Sequence, residues 1–170
     1  MIKVGILTIS DKGARGERED QSGKMIEEMV KRIKGEVKYY QIIPDEKKII
    51  QRELLKAVDE LGLDLIFTTG GTGLSKRDVT PEATLGVIEK EVPGISEIIR
   101  SEGFKKTNRG ILSRGVSGIR KESLIINLPG SPKGVSESLD VILEAIPHGI
   151  DIIKSQITEC AKTKNKLGDK

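Results

Sequence analysis

In Asp64-Leu65-Ile66-Phe67-Thr68-Thr69-Gly70-Gly71-Thr72-Gly73 a short apolar run passes directly into a cluster of glycines. A run of this length, bounded by a turn signal, reads as a strand over Asp64 to Thr69 that is buried on both faces of a parallel sheet and empties into a loop. The same pattern stands on either side of it in the chain. Val4 to Ile9 is a β-branched apolar run ending in Ser10-Asp11, and Leu124 to Leu128 runs into Pro129-Gly130-Ser131-Pro132-Lys133-Gly134. Between these runs the apolar period changes from two to 3.6. Met25, Ile26, Met29, Val30 and Ile33 mark a helix over Ser22 to Lys34 that Gly35 ends, and Val37 to Ile43 reads as a further strand. From Asp45 onward, Ile50, Leu54, Ala57, Val58 and Leu61 form a second helical face, stopped by Gly62.

Working outward, Thr80-Pro81 offers an N-cap and first-turn proline for a helix through Glu89, and another helix is expected over Ile95 to Phe104. Ile111 to Arg114 and Val116 to Arg120 read as short strands turning at Gly115 and Gly118, a small β-hairpin subdomain near residues 111–120. Val135, Leu139, Ile142, Leu143 and Ile146 mark a long helix that Pro147 breaks or kinks. Strands alternating with helices predict an α/β, three-layer sandwich around a mostly parallel, Rossmann-like sheet. A single domain over 1–157 and a polar C-terminal tail over 158–170 account for the chain.

The composition narrows the function. The chain has 170 residues, 36% hydrophobic and 32% charged, with 29 basic against 26 acidic residues. These shares, with charge above the usual value of about 25% but nearly balanced, argue against a disordered chain, and no stretch reaches the ~20 apolar residues that a membrane span needs. A net charge of +3, 2% aromatic residues and no tryptophan argue against nucleic acid as a partner. The single cysteine, Cys160, permits no intramolecular disulfide and no multi-thiolate zinc site, which fits a cytoplasmic protein, and its place beside the polar tail reads as an inert thiol. His148, the single histidine, has no carboxylate or cysteine partner in sequence, which argues against a Ser-His-Asp hydrolase.

In open parallel sheets ligands bind beyond the carboxyl ends of the strands, and here those ends are unusually polar. Gly70, Gly71 and Gly73, with Thr72 among them, remove Cβ atoms so that backbone N–H groups can approach an anion, although a tight structural turn needs the same glycines. The loop is no P-loop, since no Gly-Lys-Ser/Thr follows, and the dinucleotide fingerprint fails at Lys76. Ser131 can cap a helix starting at Pro132, with Lys133 adding charge near its positive end. Asp45 follows Pro44 at the end of a strand, where it either caps the next helix or faces the crevice. Asp78 either forms a turn paired with Arg77 or faces the same crevice. Two carboxylates converging on a phosphate site need a cation between, so Asp45 and Asp78 are candidate magnesium ligands. Ser113 and Arg114 are placed to reach an anionic substrate.

The motifs Thr68-Thr69-Gly70-Gly71-Thr72-Gly73 and Arg77-Asp78-Val79-Thr80-Pro81-Glu82-Ala83-Thr84 together resemble the molybdopterin-binding family of molybdenum-cofactor biosynthesis. Thr8-Ile9-Ser10-Asp11, Ile43-Pro44-Asp45-Glu46, Ile111-Leu112-Ser113-Arg114 and Asn127 to Gly134 support the resemblance in the family's order. Pro44-Asp45-Glu46 and the segment from Arg77 are similar to its adenylyltransferase (Mog-type) branch. The resemblance implies transfer of AMP from ATP, a co-substrate, to the terminal phosphate of molybdopterin, with Mg2+, in a homotrimer. It implies catalytic and metal roles for Asp45 and Asp78, and a molybdopterin pocket with Ser10, Asp11, Ser113 and Arg114. Gly70, Gly71, Thr72, Gly73, Asn127, Pro129, Gly130, Ser131 and Lys133 would bind nucleotide. The same fold could serve a pterin binder without transferase activity or a scaffold, but neither needs a metal-positioning pair of aspartates.

Overall fold

The computed structural model describes the backbone of residues 1–164 and the side chains of residues 1–155, so the Cys160 thiol and the polar end of the chain lie outside the described residues. In chain order the elements are β1 (Ile2–Ile9), α1 (Asp11–Ala14), α2 (Gln21–Met29), β2 (Gly35–Ile43), α3 (Lys47–Leu55), β3 (Leu65–Thr69) and α4 (Thr80–Leu85). They continue as β4 (Lys90–Glu91), α5 (Pro93–Lys106), β5 (Ser117–Arg120), β6 (Ser123–Leu128), α6 (Pro132–Ile142) and α7 (Ile146–Lys164). Short 3-10 turns extend α2 and α6, and a π-helical turn, Lys56–Glu60, extends α3.

One six-stranded sheet runs in the order β2-β1-β3-β6-β5-β4. The first four of these are mutually parallel, whereas β5 is antiparallel to β6 and β4 to β5. The apolar runs explain why the inner strands are buried on both sides. Val4 and Ile6, Leu65 and Phe67, and Leu124, Ile126 and Leu128 face a core closed by α2, α5, α6 and α7. The alternating Leu7 and Ile9, Ile66 and Ile125 face a second core closed by α3 and α4, which includes Ile50, Leu54 and Ala83. Every inner strand thus reads as continuously apolar because each face has its own layer of helix. No helix among the described residues is long and apolar enough to cross a membrane.

Several local expectations change. The helix α2 is terminated by Lys34 in the left-handed region (φ 55), and Gly35 opens β2. The helix at Thr80-Pro81 stops at Leu85, and Thr80 is inside it rather than capping it. The separate hairpin expected at 111–120 does not form: Asn108–Leu112 is a 3-10 turn, and β5 joins the edge of the main sheet, paired with β6 and β4. Pro147 lies in the first turn of α7, where a missing N–H costs nothing, and the break falls earlier, over Leu143–Ala145. Gly62, by contrast, ends its helix as expected, with φ +57.

Candidate active site

The chain crosses from β1 to β2 on one side and returns to β3 on the other, so the order of winding reverses between the parallel neighbours β1 and β3. Ligands bind at such a reversal. A crevice of about 250 Å³ opens there, with Ser10, Asp45, Gly70, Gly71, Asp78 and Gly130 on its walls. The segments after β1, β2, β3 and β6 meet there because these four parallel strands deliver their carboxyl ends to the same edge.

The glycine loop is held by protein before any ligand is considered. Gly70 and Gly71 have φ of +98 and +64, a region that a side chain occupies only with strain. The buried Thr80 hydroxyl donates to the Gly70 carbonyl at 2.9 Å, and its amide to Gly71 O at 3.1 Å. The Thr69 hydroxyl donates to Pro129 O at 2.6 Å, and Gly70 N–H to Leu128 O at 3.3 Å, so the two glycine loops lean on each other. Ser131 caps α6 as expected, accepting from Gly134 N–H at 3.1 Å.

Asp45 does not cap α3, because the cap residue is Glu46. Its Oδ2 instead accepts the Asp11 amide at 2.9 Å, and Asp11 Oδ1 accepts the Asp45 amide at 3.1 Å. Burial pushes the Asp45 carboxyl up, and the charges of Asp11 and Asp78 add to this, while the Asp11 amide and Arg77 oppose it. Asp78 Oδ2 accepts the Ser75 amide at 2.8 Å, making a turn, but Arg77 pairs with Asp11 rather than with it. In each aspartate the other oxygen, Oδ1, has no protein donor among the described residues. No cluster of three or more metal-binding side chains occurs among them either. Magnesium usually takes one or two carboxylates and completes its shell with water and substrate phosphate, so the pair Asp45 and Asp78 fits it.

A second cavity, of about 320 Å³, lies between α5, the 3-10 turn and the start of α6, lined by Ser113, Pro129, Ser131 and Lys133 and by Lys106 and Arg109. The loop over residues 129–132 separates the two: Gly130 and Pro132 line the crevice, Pro129 and Ser131 the second cavity. The structure therefore redistributes the expected residues. Ser10 lies with the carboxylates, not with Ser113, and Ser131 and Lys133 lie with Ser113, not with the glycine loop.

The side chains of Asp11, Arg114 and Asn127, expected to hold ligand, are engaged by protein instead. The Asp11 carboxylate is held by Arg77, which keeps its carboxyl below the usual range. The Arg114 guanidinium donates to Gly73 O and Asp78 O, both at 2.7 Å, and pairs with Glu82, so it clamps the loop that bears Asp78. Asn127 is 3% exposed and lines neither cavity. Its amide donates to the Thr68 and Thr84 hydroxyls, both at 2.9 Å, and its Oδ1 accepts Val116 N–H at 3.2 Å. Asn127→Leu is therefore expected to cost about 2–3 kcal/mol, since it strands buried polar partners. Calorimetry would read this as a midpoint lower by about 4–12 °C. Thr72, also buried, accepts the Arg114 amide at 2.9 Å and lines neither cavity. His148 is exposed and lines neither.

Residues that sequence reasoning passed over also line the crevice: Thr8, Arg18, Asp20, Gln21 and Ser22. Asp20 caps α2 through Gly23 N–H at 2.8 Å and accepts the Thr8 and Tyr40 hydroxyls, both at 2.5 Å. The Asp-x-Ser-Gly cap was the available signal; the apolar stripe, which begins only at Met25, concealed it.

Comparison with known proteins places the chain in a family. Residues 5–148 match the family described as a probable molybdopterin binding domain. The chain belongs to this family. The molybdopterin adenylyltransferase of Helicobacter pylori (strain 26695) is 45% identical over 154 residues, 89% of this chain and 88% of that protein. The molybdopterin adenylyltransferase of Escherichia coli K12 is 39% identical over 158 residues, 88% of this chain and 80% of that protein. Among solved structures, the molybdopterin biosynthesis enzyme MoaB of Thermus thermophilus superposes with a TM-score of 0.87 at 49% identity, covering 91% of this chain and 98% of that one. The α/β architecture of this molybdopterin-binding family is thus the observed one, with a mixed six-stranded sheet between helical layers.

Proposed function

We propose that the protein is a molybdopterin adenylyltransferase, which transfers AMP from ATP to the terminal phosphate of molybdopterin and releases pyrophosphate. The observation that carries the reading is the pair of cavities sharing one loop wall, with aspartates and glycines on one side and cations on the other. The reading is supported by the adenylyltransferase relatives, which align over most of the chain.

In this scheme ATP lies in the crevice against Gly70, Gly71 and Gly130, whose bare backbone allows close approach of phosphate. Molybdopterin lies in the second cavity beside Ser113, and Lys106, Arg109 and Lys133 face its phosphate. None of these three cations has an ion-pair partner among the described residues. The pterin phosphate oxygen attacks the α-phosphorus of ATP. The bond from that phosphorus to the bridging oxygen breaks, and pyrophosphate leaves with the electron pair. Little covalent help is needed; the protein holds two polyanions in line and offsets their charge. Asp45 and Asp78 would hold Mg2+, which supplies charge neutralisation at the phosphates of ATP. The aspartates position and are not bases, and Arg114 keeps Asp78 in place by clamping its loop.

The test is incubation with ATP, Mg2+ and molybdopterin. Adenylylated pterin and stoichiometric pyrophosphate are expected. Molybdopterin binding without either product would replace the transferase with a carrier of the same fold.

The reading includes a cytoplasmic homotrimer. Apolar side chains uncovered by the single chain support an assembly: Ile98, Phe104, Ile111 and Leu112 are exposed, although Ile99 belongs to the core and Ile95 packs against it. Sedimentation is expected to give a mass near three times 18.6 kDa, and a monomer at micromolar concentration would remove the assembly.

A further inference from the structure

Arg77 and Asp11 join the two segments that carry the crevice aspartates. Arg77 precedes Asp78 in the chain, and its Nη2 donates to Asp11 Oδ1 at 2.8 Å while its Nε donates to Oδ2 at 3.1 Å. Asp11 and Asp45 exchange amide-to-carboxylate hydrogen bonds at 2.9 and 3.1 Å. The result is a continuous strap from the loop of Asp78, through a two-point guanidinium–carboxylate pair, to the carboxylate of Asp45. Neither end is fixed by regular structure. Asp45 lies in the turn between β2 and α3, and Asp78 in the turn before α4. The carboxylates also repel, which would drive the segments apart when both are ionised.

We propose that Asp11 and Arg77 are positioning residues that set the separation of Asp45 and Asp78, rather than contacts for either substrate. This rests on the metal role given to the two aspartates above. Arg77 is the suitable cation because its planar fork meets both carboxylate oxygens at once, fixing direction as well as distance, which a lysine cannot do. Asp45 is aligned from two sides. Its own amide is bound by the Asp11 carboxylate, and its Oδ2 by the Asp11 amide, so Oδ1 is left toward the glycine loop, where a Cβ on Gly71 would lie 3.1 Å from it.

The test compares wild type with Arg77→Gln and Arg77→Lys. Both substitutions are at an exposed side chain, so the fold is expected to survive, and far-UV circular dichroism checks it. The first readout is hydrogen exchange in the metal-free protein. Faster exchange at the Asp11 and Asp45 amides is expected in Arg77→Gln, with Arg77→Lys intermediate. The second is the magnesium concentration giving half-maximal AMP transfer, expected to rise by about tenfold in Arg77→Gln. A smaller fall in kcat, about threefold, should accompany it. Unchanged exchange at both amides overturns the strap whatever the activity. A loss of kcat with unaltered magnesium dependence also overturns it, and makes Arg77 a substrate contact. Wild-type protein with no transfer activity would instead sink the transferase reading while leaving the exchange result to judge the strap.

Discussion

Asp45→Asn is expected to lose AMP transfer by about 100-fold or more while melting, without metal, at or above the wild-type temperature. The stability half of this follows from sign. Burial and the neighbouring carboxylates raise the Asp45 pKa in the folded chain above its unfolded value. Between those two values the folded state binds the proton more tightly, so stability falls as pH rises through the window. Above the window the ionised carboxylate is a standing cost to the fold. Asparagine removes that cost and retains an oxygen for the Asp11 amide, so the local hydrogen bond survives. The catalytic half follows from charge: a neutral amide cannot offset a divalent ion or fix its place. Opposite movement of stability and turnover marks a residue strained for function. Turnover near wild type at limiting magnesium would remove Asp45 from the metal site, and a lowered melting point would show that its charge supports the fold.

Gly70→Ala is expected to be the most damaging single substitution in the crevice for stability. A Cβ there would run into the backbone carbonyl oxygen of Ile9, at the end of β1, and φ is +98. A backbone atom of a central strand cannot swing aside as a side chain can, so strain and clash combine. A loss of about 3 kcal/mol is expected, or about 6–12 °C in the melting midpoint. Gly71→Ala meets Thr80 Oγ1, and φ is +64, so it too should destabilise before it affects any ligand. This revises the simplest view of such glycines as gaps cut for phosphate. They make close approach possible, but the bends at Gly70 and Gly71 are demanded first by Ile9 and Thr80. Calorimetry of Gly70→Ala decides it: a midpoint within about 2 °C of wild type would contradict the steric account.

The layered sheet, the order of its elements and the loops at its carboxyl edge are legible in the chain because they rest on local chemistry. Apolar runs of strand length, helical stripes and the turn at Gly62 each depend on residues within a few positions of one another. The aspartate pair, likewise, was marked by its place after strands. What tertiary structure alone decided is which polar groups are free to act. Asn127 and Arg114 look equally available in the sequence, yet each is consumed by partners far along the chain, Thr84 lying 43 positions away and Gly73 41. Asp11 is consumed by Arg77, 66 positions away. Asp20, conversely, enters the crevice only because α2 starts beside β1 and β2. The division of one continuous segment, Pro129 to Pro132, between two cavities has the same origin. Local patterns record whether a side chain is polar and where the chain turns; hydrogen-bond satisfaction is settled between segments that meet only when the sheet is assembled.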